Sequence, residues 1–259
     1  MAETAPGKRN SHFVPQEPSL EQSKDGYRYS IEPFLMADFS NVMPGMRVLD
    51  VGTGCGIIAI LLAFMEVRLQ LVSVEVQKSL YQQAKANIEK NALCDRVQVL
   101  EGDFIELAGT LDLFDLVISN PPYRKANTGR INPNQEKAIA RHEIKIDLES
   151  LVKHGAEVLK KGGRMILAYP PERLAEVLQS LQEHGLSPSR LRFIHGSKQA
   201  QAKIFLVEAI KGTKEDCIVL PPLCVYNENS SAERSYTLEM QKIYASFNYT
   251  GGSNDIEKK

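Results

Sequence analysis

The chain has 259 residues, 43% of them hydrophobic and 24% charged, with a formal charge of −1. That length and apolar content suit one large α/β domain with short extensions, and the balanced charge excludes a globally basic nucleic-acid-binding surface, so any such surface is local. Cys55, Cys94, Cys217 and Cys224 form no Cys-x-x-Cys pair, the start MAETAPGKRN lacks the apolar core of a secretory signal, and the longest apolar run, Ile57 to Met65, is too short to span a bilayer. A reduced, cytoplasmic protein without structural zinc is expected.

Residues 1–25 are polar and carry Pro6, Pro15 and Pro18 without periodicity, which predicts a flexible extension. A main domain is expected over 26–211. It opens with a short helix near Pro33, a residue suited to a first helical turn. This helix precedes the first strand and can lie over a ligand pocket. Val48, Leu49 and Val51 mark that strand. The chain then passes through Gly52, Gly54 and Gly56 into an apolar helix from Ile57 to Met65. Glycine permits positive φ and close backbone approach, and a helix start offers N–H groups. An ordinary tight turn can look the same, so its companions decide.

Gln70 to Val76 reads as a buried strand ending near Glu75, and a helix follows from about Gln77 to Asn91 with Leu80, Ala84 and Ile88 on one face. Arg96 to Leu100 is a third strand, closed by Asp103-Phe104. Leu113 to Ser119 is a fourth, closed by Asn120-Pro121-Pro122-Tyr123. Arg124 to His142 is a long polar, basic loop, the kind that is usually functional or disordered. A helix is predicted from Leu148 to Leu159, stopped by Lys160-Lys-Gly-Gly163. Arg164 to Tyr169 is a fifth strand and Pro171 to His184 a helix. Arg190 to His195 and Lys203 to Ala209 leave no room for a helix between them, so they pair as an antiparallel hairpin. Residues 212–259 are expected to pack in part and end loosely. The result is a doubly wound, mostly parallel seven-stranded sheet with a reversed strand near one edge, a Rossmann-like α/β fold.

In such a sheet ligands bind outside the carboxyl ends of the strands. Asp50 with the glycines, Glu75, Asp103-Phe104 and Asn120 to Tyr123 should therefore face one crevice. Glu75 lies 23 residues after Gly52, near the spacing of a ribose-binding acid. Asp103 could accept from an adenine amino group, with Phe104 beside the ring. These features suit NAD and S-adenosylmethionine alike. The Asn-Pro-Pro-Tyr stretch separates them. A planar amino group on a base is a poor nucleophile because its lone pair is delocalised. The Asn120 side-chain carbonyl and the Pro121 backbone carbonyl could accept its two hydrogens, favouring a pyramidal nitrogen aimed at a methyl donor. The prolines stiffen the loop, and Tyr123 offers a stacking surface. Taken alone, the stretch could be only a proline turn after a strand.

At these residues the chain resembles class I S-adenosylmethionine-dependent methyltransferases of the Asn-Pro-Pro-Tyr group over Gly26 to Lys211. More narrowly it resembles the bacterial tRNA1(Val) adenine N6-methyltransferase family, through Tyr27-Arg-Tyr-Ser-Ile-Glu-Pro-Phe-Leu-Met-Ala-Asp38, Gly129-Arg-Ile-Asn-Pro and Ala140-Arg-His-Glu143. The resemblance implies S-adenosylmethionine as cofactor and methylation of the adenine just 3′ of the anticodon of a valine tRNA, with no metal and no membrane. Asp50, Gly52, Thr53, Gly54 and Gly56 would line the methionine side, Glu75 the ribose, and Asp103 with Phe104 the adenine. Asn120, Pro121, Pro122 and Tyr123 would hold the target base, with Asn120 also against the cofactor. Many members have an aromatic residue where this chain has Arg124. Arg124, Lys125, Arg130, Lys137 and Arg141, with Lys145 close by, could form a local rim for RNA phosphates, or simply a solvated loop. Arg141-His142 reads as structural or RNA-contacting rather than as a general base. The alternatives are another RNA or DNA adenine N6-methyltransferase, and a protein glutamine N5-methyltransferase. That last family normally carries a long helical N-terminal domain, where only 25 mostly polar residues stand here. An RNA-binding module without catalysis is the remaining class, opposed by the intact glycine loop and Asn120.

Overall fold

A computed structural model describes residues 18–19, 31–121, 147–214, 216–228 and 235–248. Among these, nine strands build one sheet: β1 Arg47–Val51, β2 Gln70–Glu75, β3 Val97–Glu101, β4 Phe114–Ser119, β5 Leu159–Tyr169, β6 Leu186–His195, β7 Ala202–Lys211, β8 Ile218–Val219 and β9 Leu223–Cys224. The order is β3-β2-β1-β4-β5-β7-β6-β8, and β9 also pairs with β6. β1 to β5 are mutually parallel, while β7 runs against both β5 and β6. The mostly parallel sheet with one reversed strand is thus present. Two short strands beyond the expected seven lie parallel to β6.

The hairpin folds its later strand inward, and the side chains explain why. β7 buries Ile204 and Leu206 on one face and Phe205, Val207 and Ala209 on the other. A strand apolar on both faces belongs inside a sheet. β6 carries Arg190 and Arg192 and takes the outer place. The same alternation splits the whole sheet into two cores. Leu116, Ile118, Ile166 and Ala168 pack with α1 Glu32–Phe39, α2 Ile57–Met65, the Ile88 face of α3 Lys78–Lys90 and α7 Leu238–Ser246. Phe114, Val117, Met165 and Leu167 pack with α4 Phe104–Leu107, α5 Leu148–Glu157 and α6 Leu174–Glu183.

One helix stop differs from expectation. α5 ends at Glu157, and Lys160 to Gly163 belong to β5, where the register against β4 jumps from Phe114–Leu159 to Leu116–Arg164. Gly162 takes φ +76° inside this bulge. Lys160 bonds Asp115 on β4 at 2.8 and 2.9 Å instead of capping helix carbonyls. The Lys-Lys-Gly-Gly run serves a bulge, a motif that shares its glycine requirement with a helix stop.

The eight-residue α1 is too short to persist alone. Its place is set by burial of Phe34, Leu35 and Met36, each worth about 1.5–3 kcal/mol, and by its carboxyl end. There Arg164 donates to Ser40 O at 2.8 Å and Asn41 O at 3.2 Å, and Arg190 donates to Phe39 O at 3.0 Å. Arg190 also lies 4.5 Å over the Phe39 ring. Both guanidiniums reach Glu208 on β7 at 2.7 Å, a residue only 4% exposed. Burial pushes the Glu208 carboxyl up, and the two arginines more than reverse this, leaving it below the usual range. Its contribution to stability is therefore full above the ordinary value near 4.5 and is lost as pH falls through the depressed one. Glu208→Ala strands two cations and should cost about 3–5 kcal/mol in urea unfolding at neutral pH. A loss below about 1 kcal/mol would show that the pair does not hold α1.

Candidate active site

The carboxyl ends of β3, β2, β1 and β4 stand side by side along one edge. Asp50 on β1 is in register with Ser73 on β2 and Ile118 on β4, and Glu75 with Glu101 on β3. The glycine loop is stitched to β2 by backbone. Gly52 N and Thr53 N both donate to Val74 O, at 2.9 and 3.1 Å. Gly54 N donates to Glu75 Oε2 and Gln77 N to Glu75 Oε1, each at 2.9 Å. Glu75 therefore ties the loop after β1 to the turn after β2. Beneath the loop, Asn87 of α3 donates to Cys55 O at 2.9 Å. On the other side, Ser119 Oγ donates to Val51 O at 2.8 Å, fixing the end of β4 against the end of β1.

Gly52 and Gly54 have φ of +72° and +60°, and a Cβ on either would meet nothing within 4 Å. Their backbones border open space. Gly56 differs: its Cβ would stand 3.4 Å from Ala84, so it serves the close seating of the loop on α3.

Asp50 is 0% exposed. Its Oδ2 accepts the Thr53 hydroxyl at 2.5 Å, and among the described residues its Oδ1 has no hydrogen-bond partner. Burial pushes its pKa to about 7; the Thr53 bond opposes this, the nearby Glu75 charge adds to it, and the Ala59 backbone N–H opposes it weakly. Cys55, inside the loop, is pushed by burial to about 11 and stays a protonated, unreactive thiol at neutral pH.

Asp103 ends the turn after β3 and caps α4, its Oδ1 accepting Ile105 N at 3.0 Å. Phe104 requires a correction. Its ring is 1% exposed and packs in the core under α4, so no ring face is offered to an adenine. As the first residue of α4 it follows the Asp103 cap, and the apolar ring turns to the sheet. Asn120 follows β4 directly and is half-buried, with Pro121 buried behind it. Its side chain hydrogen-bonds Glu32 in the first turn of α1; burial raises the Glu32 carboxyl above its ordinary value, and this bond opposes the rise only in part. Glu32 was read only as part of the Tyr27–Asp38 segment. Its signal was an acid beside Pro33 at the start of a helix able to cover the pocket. Pro122, Tyr123, Arg124, Lys125, Arg130, Lys137 and Arg141 lie outside the described residues, as do His142 and Lys145.

The model of the methyltransferase small domain matches residues 33–183. The chain belongs to that family. S-adenosylmethionine is its methyl donor. A tRNA1(Val) (adenine(37)-N6)-methyltransferase of Bacteroides thetaiotaomicron is 29% identical over 70% of this chain and 76% of its own length. One from Porphyromonas gingivalis is 32% identical over 62% of this chain and 64% of its own length. A crystal structure described as a predicted O-methyltransferase from Agrobacterium tumefaciens superposes with a TM-score of 0.67 at 22% identity, over 83% of this chain and 96% of that one. It shows the same fold.

For a methyltransferase the residues present fit the donor. A buried carboxylate with an unpartnered oxygen, a second carboxylate beside it and open space over two glycines suit a ligand that brings an amino group and ribose hydroxyls. Among the described residues no three His, Cys, Asp or Glu are grouped to hold a metal, and no helix is long and apolar enough to cross a membrane.

The pH dependence follows from Asp50. In the ligand-free protein a raised carboxyl stabilises the fold fully below its unfolded value near 3.8, and this contribution fades as pH rises through about 7. A cationic ligand favours the ionised form. Cofactor affinity should therefore rise with pH, level off above about 7 and, below that, release a proton on binding. Calorimetry in buffers of different ionisation enthalpy reads that proton. Asp50→Asn should abolish the slope, and a wild type with pH-independent affinity would exclude contact between Asp50 and the cofactor.

Proposed function

We propose that this chain methylates N6 of an adenine in the anticodon region of a valine tRNA. The observation that carries the reading is the seat of Asn120. It leaves β4 next to the glycine loop of β1, held there by the Ser119–Val51 bond, with the buried Pro121 following. Acceptor chemistry and donor pocket are thus on adjacent strands, and the relatives named above act on this base.

In this reading Asp50 holds the donor's amino group, Glu75 its ribose hydroxyls, and the loop Gly52-Thr53-Gly54 its methionine side, with Asp103 near the adenine. Bound S-adenosylmethionine would supply an electrophilic methyl, transferred to the acceptor nitrogen with the C–S electron pair left on sulfur and one proton lost from the nitrogen. The chain's own work is to make the nitrogen lone pair available. The Asn120 side-chain carbonyl and the Pro121 carbonyl accept the two N–H groups, which draws the nitrogen out of conjugation and aims it. No strong base is required, because the nitrogen becomes acidic as it gains the methyl. Tyr123 stacks the extruded base, and the Arg124 to Arg141 segment contacts tRNA phosphates. Such a substrate places the enzyme in the cytoplasm.

Asn120→Ala should abolish transfer while cofactor affinity stays nearly unchanged. Nucleoside mass analysis of tRNA from a deletion strain should lack one N6-methyladenosine, and adding back Asn120→Ala should not restore it. Efficient methylation of a glutamine peptide instead of tRNA would overturn the substrate assignment.

For the RNA surface, Arg130→Ala with Lys137→Ala should flatten the salt dependence of tRNA binding by roughly 0.7–0.9 in log–log slope per lost phosphate contact. It should also raise KM for tRNA and leave cofactor binding alone. Unchanged salt dependence and KM would move the RNA surface elsewhere.

A further inference from the structure

We propose that Ser73 is a positioning residue that supplies a second hydrogen-bond donor to the Asp50 carboxylate, and so sets the charge with which the pocket meets its cofactor. This rests on the reading that Asp50 contacts the cofactor. The two residues are register partners on the adjacent parallel strands β1 and β2. Alternation puts both on one face of the sheet, that of Val48 and Leu71, which pack in the core under α1, α2 and α3. Along that row Asp50 is flanked by Ser73 on one side and Ile118 on the other. Ile118 neither donates nor accepts, so within the row only Ser73 can bond Asp50. Both residues are 0% exposed. Asp50 Oδ1 and Ser73 Oγ are buried, and neither has a hydrogen-bond partner among the described residues.

A fully buried hydroxyl without a partner is costly, and alanine would fill nearly the same space without that cost. Here the hydroxyl stands beside an orphaned carboxylate oxygen, a donor next to an acceptor across one strand spacing of about 4.8 Å. A turn about the Ser73 χ1 brings its Oγ to Asp50 Oδ1. That oxygen has two lone pairs, so it can accept the hydroxyl and a ligand's amino group together. The bond is made to the ionised carboxylate and favours it over the protonated form. Glu75 at the end of β2 raises the Asp50 carboxyl, whereas Thr53 in the loop and the Ala59 N–H at the start of α2 lower it. Cys55 in the loop stays protonated at neutral pH, and α2 carries no charged residue. Ser73 therefore joins Thr53 and Ala59 as a neutral donor that lightens the cost of the charge. A simpler reading takes Ser73 only as a side chain small enough for its place in the core. The two readings differ in how the site responds to pH.

The test uses the full chain with ¹³C-labelled aspartate carboxyls, the Asp50 signal being assigned by its loss in Asp50→Asn. In the ligand-free protein the Asp50 midpoint in Ser73→Ala should lie about one pH unit above that of wild type. Ser73→Thr, which keeps a hydroxyl, should lie nearer wild type. Binding of S-adenosylhomocysteine, which keeps the donor's amino group and ribose, is then measured by calorimetry against pH. Ser73→Ala should bind about tenfold more weakly than wild type well below the midpoint, and within about twofold of it above. Taking the ratio of the two Kd values at each pH cancels the ligand's own titration. A side chain that only fills space would change Kd by one factor at every pH, or not at all. An Asp50 midpoint unmoved in Ser73→Ala would overturn the proposal, as would a Kd ratio independent of pH where wild-type affinity depends on it. Should wild-type affinity itself be independent of pH, the assignment of Asp50 to the cofactor fails, and the carboxyl titration alone still decides the Ser73 bond.

Discussion

A carboxylate without exposed surface, Asp50 at the end of β1, is the constraint around which the site is arranged. Its charge is costly there, and Glu75 nearby raises the cost further. One oxygen is met by Thr53, three residues on in the same loop. The other has no partner among the described residues. Glu75 is handled differently: both its oxygens accept backbone N–H groups, from Gly54 and Gln77. The loop is thereby pinned at its middle by Glu75 while Asp50 stays electrostatically unfinished. A site of this kind is organised before its ligand arrives, and what it lacks is positive charge. Loop shape and ligand charge are two sides of one arrangement, because the glycines that open the space also bring the loop N–H to Glu75.

A second buried carboxylate, Glu208, is finished within the protein. Arg164, Arg190 and Ser189 all reach it. The same two arginines hold the carbonyls at the end of α1. α1 is thus fixed to β5, β6 and β7 at one end while its first turn reaches Asn120 after β4. The reversed strand β7, remote in sequence from the glycine loop, carries the charge that anchors the helix whose first turn reaches Asn120. That explains why the antiparallel half of the sheet matters to a site built on the parallel half.

Much of this was legible in the sequence, and the exceptions have physical causes. α2 was readable because its apolar run, buried from Ile57 to Ala63, follows a strand and a glycine loop and is long enough for more than two helical turns. The parallel strands were readable from apolar runs ended by acids, glycine or Asn120. The α5 stop was misread because a bulge and a helix terminus both use lysine followed by glycine, and only the partner Asp115 tells them apart. Phe104 was misread because it follows Asp103 at the strand end, whereas the first turn of α4 sends its ring into the core. Glu32 stands 88 positions before Asn120, and no periodicity links a helix start to a strand end. β8 and β9 are two residues each, below the length at which alternation can be seen.

The strand order assigns the halves of the proposed chemistry. β3 and β2 lie on one side of β1, and β4 on the other. Asp103, Glu75 and the glycine loop therefore fall on the β3-β2-β1 side, where a donor would lie across three strand ends. Asn120 falls on the β4 side. Adjacent strands are about 4.8 Å apart, so a methyl group over the end of β1 and an amine over the end of β4 are brought within reach by the sheet itself. The Ser119–Val51 bond holds that step to one value at the point where it matters. Loops alone could not keep two reactants at a near-attack distance, since loop motion is larger than the tolerance of the reaction. Placing donor and acceptor on neighbouring parallel strands, with a short side-chain bond between the strand ends, removes that freedom.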